Sequence, residues 1–246
     1  VPNLGDVIFR YQLKDGIKDG ILSEITSSHL FFKLSPFERE EAKRLTTQIG
    51  IIRDRIPEHT TDPPTRDLQR LESLIEKRKR VIATSQERSE ALACLLRSGH
   101  LDDRRTIIFN ETIAQAEQAA LVLENEGREY ALEHSKISLD MRRAALARFA
   151  SGSVPTLIAV KALDEGIDVP DANTAVIVSG SLNPRQRIQR IGRIARASST
   201  PAEVISLIAR DSIEQWGITT ADVQLLGGDR VRELELLSPD DRKDDS

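Results

Sequence analysis

Arg190, Arg193 and Arg196 recur every third residue in the stretch "QRIGRIAR", Gln189 to Arg196. On a helix, residues three apart share a face, so this spacing gathers positive charge that repels itself unless an anion neutralises it. The planar fork of arginine matches a phosphate through two parallel N–H bonds. Presented across an interface to a transferring phosphoryl group, such an arginine raises the rate about 10³- to 10⁵-fold. Gly192, between the first two arginines, permits a closer approach. Arginine pairs are also common on surfaces that bind nothing, and spacing alone leaves that reading open.

Two other loops carry unusual polar groups. In "VKALDEGIDVPDAN" (160–173), Asp164, Glu165 and Asp168 surround Gly166. Hard cations favour such oxygens, although the alternation of a calcium-binding loop is missing. A glycine flanked by acids also lets the backbone approach a ligand while a carboxylate accepts from a sugar hydroxyl. In "IIFNET" (107–112), Asn110 and Thr112 stand where a strand runs into a helix. Either one serves as a helix cap in the plainest interpretation.

These loops need a scaffold, and the sequence supplies one. From Arg105 onward, short apolar runs alternate with helical patterns: "RTIIFN", "EYALEH", "PTLIAV", "NTAVIVSG" and "AEVISLIA" are read as strands. Between them lie helices ending at Gly127 and Gly152, the helix "NPRQRIQRIGRIAR", and a last helix beginning at "DSIEQWG". Strands alternating with helices predict crossover units on a parallel sheet covered on both faces. Functional groups then collect at the carboxyl ends of the strands. Ahead of this unit, "DVIFRYQL" is read as a strand. Residues 35–100 are read as mostly helical, starting at Ser35–Pro36 and continuing, after a break at "DPPTRD", as one long stretch from Thr65 to Gly99. Trp216 is expected to anchor the core, Cys94 to be a small buried hydrophobe, and Glu76–Arg80 ("EKRKR") to be a solvated helix face.

Composition sets the outer bounds. The single cysteine among 246 residues excludes an internal disulfide framework and a thiolate metal cluster. A net charge of −4 argues against a uniformly basic nucleic-acid surface but not against local patches. No apolar run approaches the roughly 20 residues that span a bilayer, and no basic leader opens the chain. A cytoplasmic protein (or a nuclear one, in a eukaryote) without a membrane partner is expected. The acidic end, "SPDDRKDDS", is expected to be disordered.

"TIIFNET", "DEGIDVPDAN" and "NPRQRIQRIGRIAR", in that order, resemble motifs IV, V and VI of the second RecA-like domain of superfamily 2 helicases and translocases, most of all the XPB-type branch. The resemblance runs from about Arg105 to Ile218. It implies an α/β fold, a RecA-like parallel sheet flanked by helices and preceded by a mostly helical extension. The implied divisions are 1–34 as the crossing from a first motor domain, 35–100 as the extension, 101–225 as the RecA-like domain and 226–246 as a tail. By resemblance, Arg193 and Arg196 are arginine fingers on the γ-phosphate of ATP, with Gln189 beside it. Gly166, Asp168 and Glu165 meet the nucleotide, Asp168 near the ribose. Asn110, Thr112, Ser135 and Lys161 face nucleic-acid phosphates, with DNA favoured over RNA. Val160 departs from the family, which usually places there a hydroxyl that contacts a phosphate; Lys161 could compensate. No G-x-x-x-x-G-K-[ST] loop and no D-E-x-H run occurs. ATP and Mg would therefore be held mainly by a first RecA-like domain supplied as partner, and this chain alone should be inactive. The alternative is a non-catalytic nucleic-acid-binding or scaffold module derived from such a domain.

Overall fold

The computed structural model describes residues 13–56, 65–160, 172–179, 184–194 and 201–236. A short helix α1 (Leu13–Lys18) leads into β1 (Ile25–Phe32), followed by three helices: α2 (Pro36–Arg53), α3 (Thr65–Ala83) and α4 (Gln86–Arg97). Strands and helices then alternate: β2 (Thr106–Asn110), α5 (Ile113–Asn125), β3 (Tyr130–Glu133), α6 (Leu139–Ala150), β4 (Thr156–Val160), β5 (Thr174–Ile177), α7 (Pro184–Ile194), β6 (Ala202–Ala209), α8 (Ile213–Leu226) and β7 (Val231–Glu233). The strands form one seven-stranded sheet in the order β3-β4-β2-β5-β6-β1-β7, with every pairing parallel.

The expected α/β grammar is what forms. Because β2, β4 and β5 are covered on both faces, they read as unbroken apolar runs rather than alternating ones. One face packs Ile108, Ile158, Val176, Ile205 and Leu207 under α4 and α5; the other packs Phe109, Leu157, Ala159, Ile177 and Val204 under α6, α7 and α1. Helix α2 starts at the predicted cap: Ser35 and Glu38 form a reciprocal capping box, with Pro36 in the first turn. Gly127 and Gly152, which follow α5 and α6, adopt φ of 64° and 76°, where glycine carries no Cβ penalty.

Three expectations need correction, and one strand went unread. The stretch from Thr65 to Gly99 is two helices, not one, because the backbone is extended (ψ 142°) at Ser85, which holds the N-cap position of α4 but makes no capping bond with its side chain. Strand β1, "ITSSHLFF", escapes a hydrophobicity reading because Ser27, Ser28 and His29 are polar. They are buried nonetheless, since carboxylates meet them on both faces of the sheet. Trp216 is 73% exposed and anchors nothing. Cys94 is half-buried and donates weakly to Glu90 at 3.6 Å, so it is not a core hydrophobe. Glu76–Arg80 is largely exposed as expected, with Lys79 paired to Glu76 at 2.7 Å. Most of "DVIFRYQL", residues 161–171, Arg196 and the acidic end lie outside the described residues. No described helix is long and apolar enough to cross a membrane.

Candidate functional site at the carboxyl edge of the sheet

Parallel pairing brings the ends of β2, β3, β4 and β5 to one edge, and the loops that leave them converge there. The loop after β2 is tightly made. Thr112 caps α5, its Oγ1 accepting from the Gln115 amide at 3.3 Å. In return, Gln115 Oε1 accepts from the amides of Glu111 (3.1 Å) and Thr112 (3.2 Å) and from Ser179 Oγ (3.0 Å). Gln115 Nε2 reaches the Ala83 carbonyl at 3.1 Å, which ties the loop to the end of α3. Thr112 Oγ1 accepts a bond here, so its own proton stays free to donate toward solvent.

Thr112 and Ser135 line the same polar cavity of about 290 Å³, together with His134, Arg142 and Val160. Arg142 Nε donates to Glu133 Oε1 at 2.6 Å across its floor. The Lys136 amide donates to His134 Nδ1 at 3.2 Å, which leaves Nε2 to carry the proton of the neutral ring. Asn110 does not join this group. It is fully buried, Nδ2 donating to the Ile108 carbonyl at 3.3 Å, and Oδ1 finds no donor among the described residues. Lys161 lies outside the described residues.

Helix α7 carries the arginine row, and its geometry revises the expectation of a single anion-facing stripe. Arg190 is 1% exposed. Its Nη2 donates to Glu111 Oε1 at 2.6 Å, and its guanidinium lies 5.6 Å from the centre of the Phe109 ring. The anion that neutralises it is therefore a protein carboxylate. One turn earlier, Arg187 is also wholly buried. It donates through Nε to Asp222 Oδ1 (2.7 Å), and through Nη2 to Asp222 Oδ2 (2.5 Å) and Ser206 Oγ (3.2 Å). Asp222 also accepts from Ser27 Oγ at 2.7 Å and His29 Nε2 at 2.9 Å. Burial pushes its carboxyl up, but the His29 bond and the Arg187 charge prevail and hold it below the ordinary value.

The inner face of α7 is thus pinned at two points, while its outer face is open. Gln189 is exposed, and a Cβ added at Gly192 would meet nothing within 4 Å. Nothing among the described residues calls for a glycine there. The side chains of Arg193 and Arg196, and the residues Glu165, Gly166 and Asp168, lie outside the described residues. Among the described residues no group of three or more His, Cys, Asp or Glu is placed to hold a metal ion.

On the opposite face of the sheet, Arg88 of α4 is buried beneath the same edge. It donates to the Val178 carbonyl, to the Leu207 carbonyl at 2.9 Å and to Glu214 at 2.7 Å, with its guanidinium 4.9 Å from the centre of the Phe32 ring. Sequence reading passed over Arg88, Arg187, Glu111 and Gln115. A signal existed for Arg187: it extends the three-residue arginine interval one step back from Arg190.

Residues 87–198 match the model of the helicase conserved C-terminal domain. The DEAD-box ATP-dependent RNA helicase 36 of Arabidopsis thaliana is 34% identical over 94 residues, 38% of this chain and 19% of that protein. The DNA 3'-5' translocase XPB2 of Sulfurisphaera tokodaii is 34% identical over 79 residues, 32% of this chain and 18% of that protein. The matched segments are thus about a fifth of the length of these relatives. Among solved structures, the C-terminal domain of the Sulfolobus solfataricus SWI2/SNF2 ATPase superposes with a TM-score of 0.59 at 14% identity, covering 82% of this chain and 86% of that one, a likeness of fold. Together these matches mark residues 87–198 as similar to the helicase conserved C-terminal domain, on a parallel sheet whose fold is shared with the SWI2/SNF2 ATPase C-terminal domain.

Proposed function

We propose that this chain is the C-terminal motor half of an ATP-dependent nucleic-acid helicase or duplex translocase of the XPB-type branch, acting with a first RecA-like domain. The observation that carries the reading is the two-sidedness of α7. Its inner face is held by Arg187 and Arg190, while Gln189 and the unfilled space at Gly192 face outward, as a surface for a second domain requires.

In this reading Arg193 and Arg196 serve as arginine fingers on the γ-phosphate, and Gln189 stands beside it. Gly166, Glu165 and Asp168 follow β4 toward the sugar and phosphates. These groups suit an anionic nucleotide but cannot cradle it alone, because the chain has no G-x-x-x-x-G-K-[ST] loop. When bound, Mg-ATP supplies the phosphoryl group that water takes. Thr112 and Ser135 offer hydroxyls to backbone phosphates at the mouth of their shared cavity, with Lys161 nearby in sequence and Asn110 buried behind the loop. Binding of this kind is salt-dependent and mostly indifferent to base sequence. One relative is named as an RNA helicase and another as a DNA translocase at equal identity, so the choice between DNA and RNA falls to the assay. Val160, apolar at the rim of the cavity, favours a second reading, a scaffold module that keeps the fold without the turnover.

The test measures ATP hydrolysis by this chain alone and by the chain joined to its upstream motor domain, each with single- and double-stranded DNA and RNA. The first is expected to be silent and the second to be stimulated. Arg193→Ala is expected to raise the barrier by about 3 kcal/mol or more, ~100-fold in turnover. A joined protein that binds nucleic acid but never hydrolyses ATP supports the scaffold instead.

A further inference from the structure

Glu111 occupies a position between two kinds of chemistry. It precedes Thr112, and both line the 290 Å³ cavity at the end of β2. Its amide is held by Gln115 Oε1 and by Ser179 Oγ at 3.3 Å, so the loop backbone is fixed while the carboxylate extends to Arg190. The Glu111 side chain keeps 29% of its surface exposed, whereas that of Arg190 keeps 1%. The pair therefore has one end at the cavity and the other inside the sheet-facing side of α7.

The pairing is also incomplete. Among the described residues Arg190 Nε is buried without an acceptor, and Nη1 reaches the Ser179 carbonyl only at 3.5 Å. An arginine and a carboxylate can form two parallel bonds, and here one of the two is left unmade. Arg187, on the same helix, already holds Asp222 through both Nε and Nη2. The Arg190 pair thus has a two-bond arrangement within reach that it has not taken, whereas the Arg187 pair has already made its own, although Arg187 Nη1 is also without a partner among the described residues.

We infer that the Glu111–Arg190 pair couples occupancy of the Thr112 cavity by nucleic-acid phosphate to the position of α7. This rests on the motor reading above. A phosphate at Thr112 repels the neighbouring Glu111 carboxylate, which moves along the guanidinium to engage Nε as well as Nη2. Arg190 is seated against Phe109 and cannot follow the phosphate outward, so the adjustment passes to α7 and to the residues at its outer end. Both residues are positioning residues, acting through α7. Coupling passes through an element with two discrete arrangements, and the unmet Nε gives the pair its second.

The experiment uses the protein carrying both motor domains, with turnover measured with and without a single-stranded and a duplex oligonucleotide. Glu111→Gln and Arg190→Lys are each expected to lower the ratio of stimulated to unstimulated turnover about tenfold, and the double variant no further, because both remove one interaction. Asp222→Asn, which loosens the other anchor of α7, is expected to lower both turnovers together and leave the ratio as in the wild type. As a readout independent of turnover, adding the oligonucleotide is expected to slow hydrogen exchange of the α7 amides in the wild type but not in Glu111→Gln. A Glu111→Gln protein whose ratio and exchange respond as in the wild type overturns the coupling alone. Wild-type turnover that no nucleic acid raises overturns the motor reading and the coupling with it.

Discussion

Glu203, near the amino edge of the sheet, and Glu111, at the carboxyl edge, are both carboxylates meeting arginine, and they are answered very differently. Glu203 accepts from Ser28 Oγ (2.5 Å), Arg232 Nη2 (3.0 Å), His100 Nε2 (2.9 Å) and Arg104 Nη1 (2.7 Å). Those partners come from β1, β7 and the turn after α4, so one carboxylate staples three parts of the chain. Among the described residues the Glu111 carboxylate has Arg190 alone, and Arg190 keeps a donor unmet. Glu203 is saturated and ties three parts of the domain together. The carboxyl edge leaves polar capacity unused, which is how a fold keeps a place for a ligand.

Removing the saturated carboxylate should have the largest effect. Glu203→Ala leaves three cationic or imidazole partners without their shared acceptor, and is expected to destabilise the domain by about 3 kcal/mol, read from the urea midpoint at constant slope. A loss under about 1 kcal/mol would mean that the staple is a set of surface pairs and would erase the contrast. Acid provides the second measurement. Burial tends to raise the Glu203 carboxyl, but His100, Ser28 and Arg232 prevail and hold it down at about 2, against 4.5 ordinarily. A depressed folded-state value means that its contribution is complete above about pH 4.5 and is lost as pH falls through about 2. Glu203→Gln should remove the corresponding part of the acid-side slope; an unchanged slope would show that the carboxylate is not held down. The smallest effect is expected at the carboxyl edge and has the opposite sign. Gly192→Ala should stabilise the isolated chain by about 0.5–1 kcal/mol, since Gly192 lies within α7 and its Cβ position is open. In the protein with both motor domains the same change should reduce turnover, because the space is kept for what approaches from outside. Unchanged turnover there would make Gly192 incidental.

Much of this architecture was readable before any coordinates. "TIIF" and "AVIV" announce strands buried on both faces, Ser35–Pro36 starts a helix, and Gly127 and Gly152 follow the ends of two others. Strand β1 was not readable, because Ser27, Ser28 and His29 look like surface residues until Asp222 and Glu203 are brought to them from about 175 to 195 positions away in the chain. Trp216 misled in the other direction: helical spacing from Ile213 suggests a buried face, yet that face of α8 points to solvent. At the site, the arginine interval correctly marked α7 but not which way each arginine turns.

The sequence by itself determined the order of strands and helices, the caps and the type of each motif residue, because those depend on neighbours within a few positions. Only the tertiary structure decided that Arg190 is spent on Glu111 and Arg187 on Asp222, leaving the outer face of α7 open at Gln189 and Gly192. A buried guanidinium takes whichever carboxylate the fold delivers, since leaving it unpaired costs several kcal/mol. That delivery depends on which strands lie side by side, and adjacency in a parallel sheet is settled by packing across the whole domain.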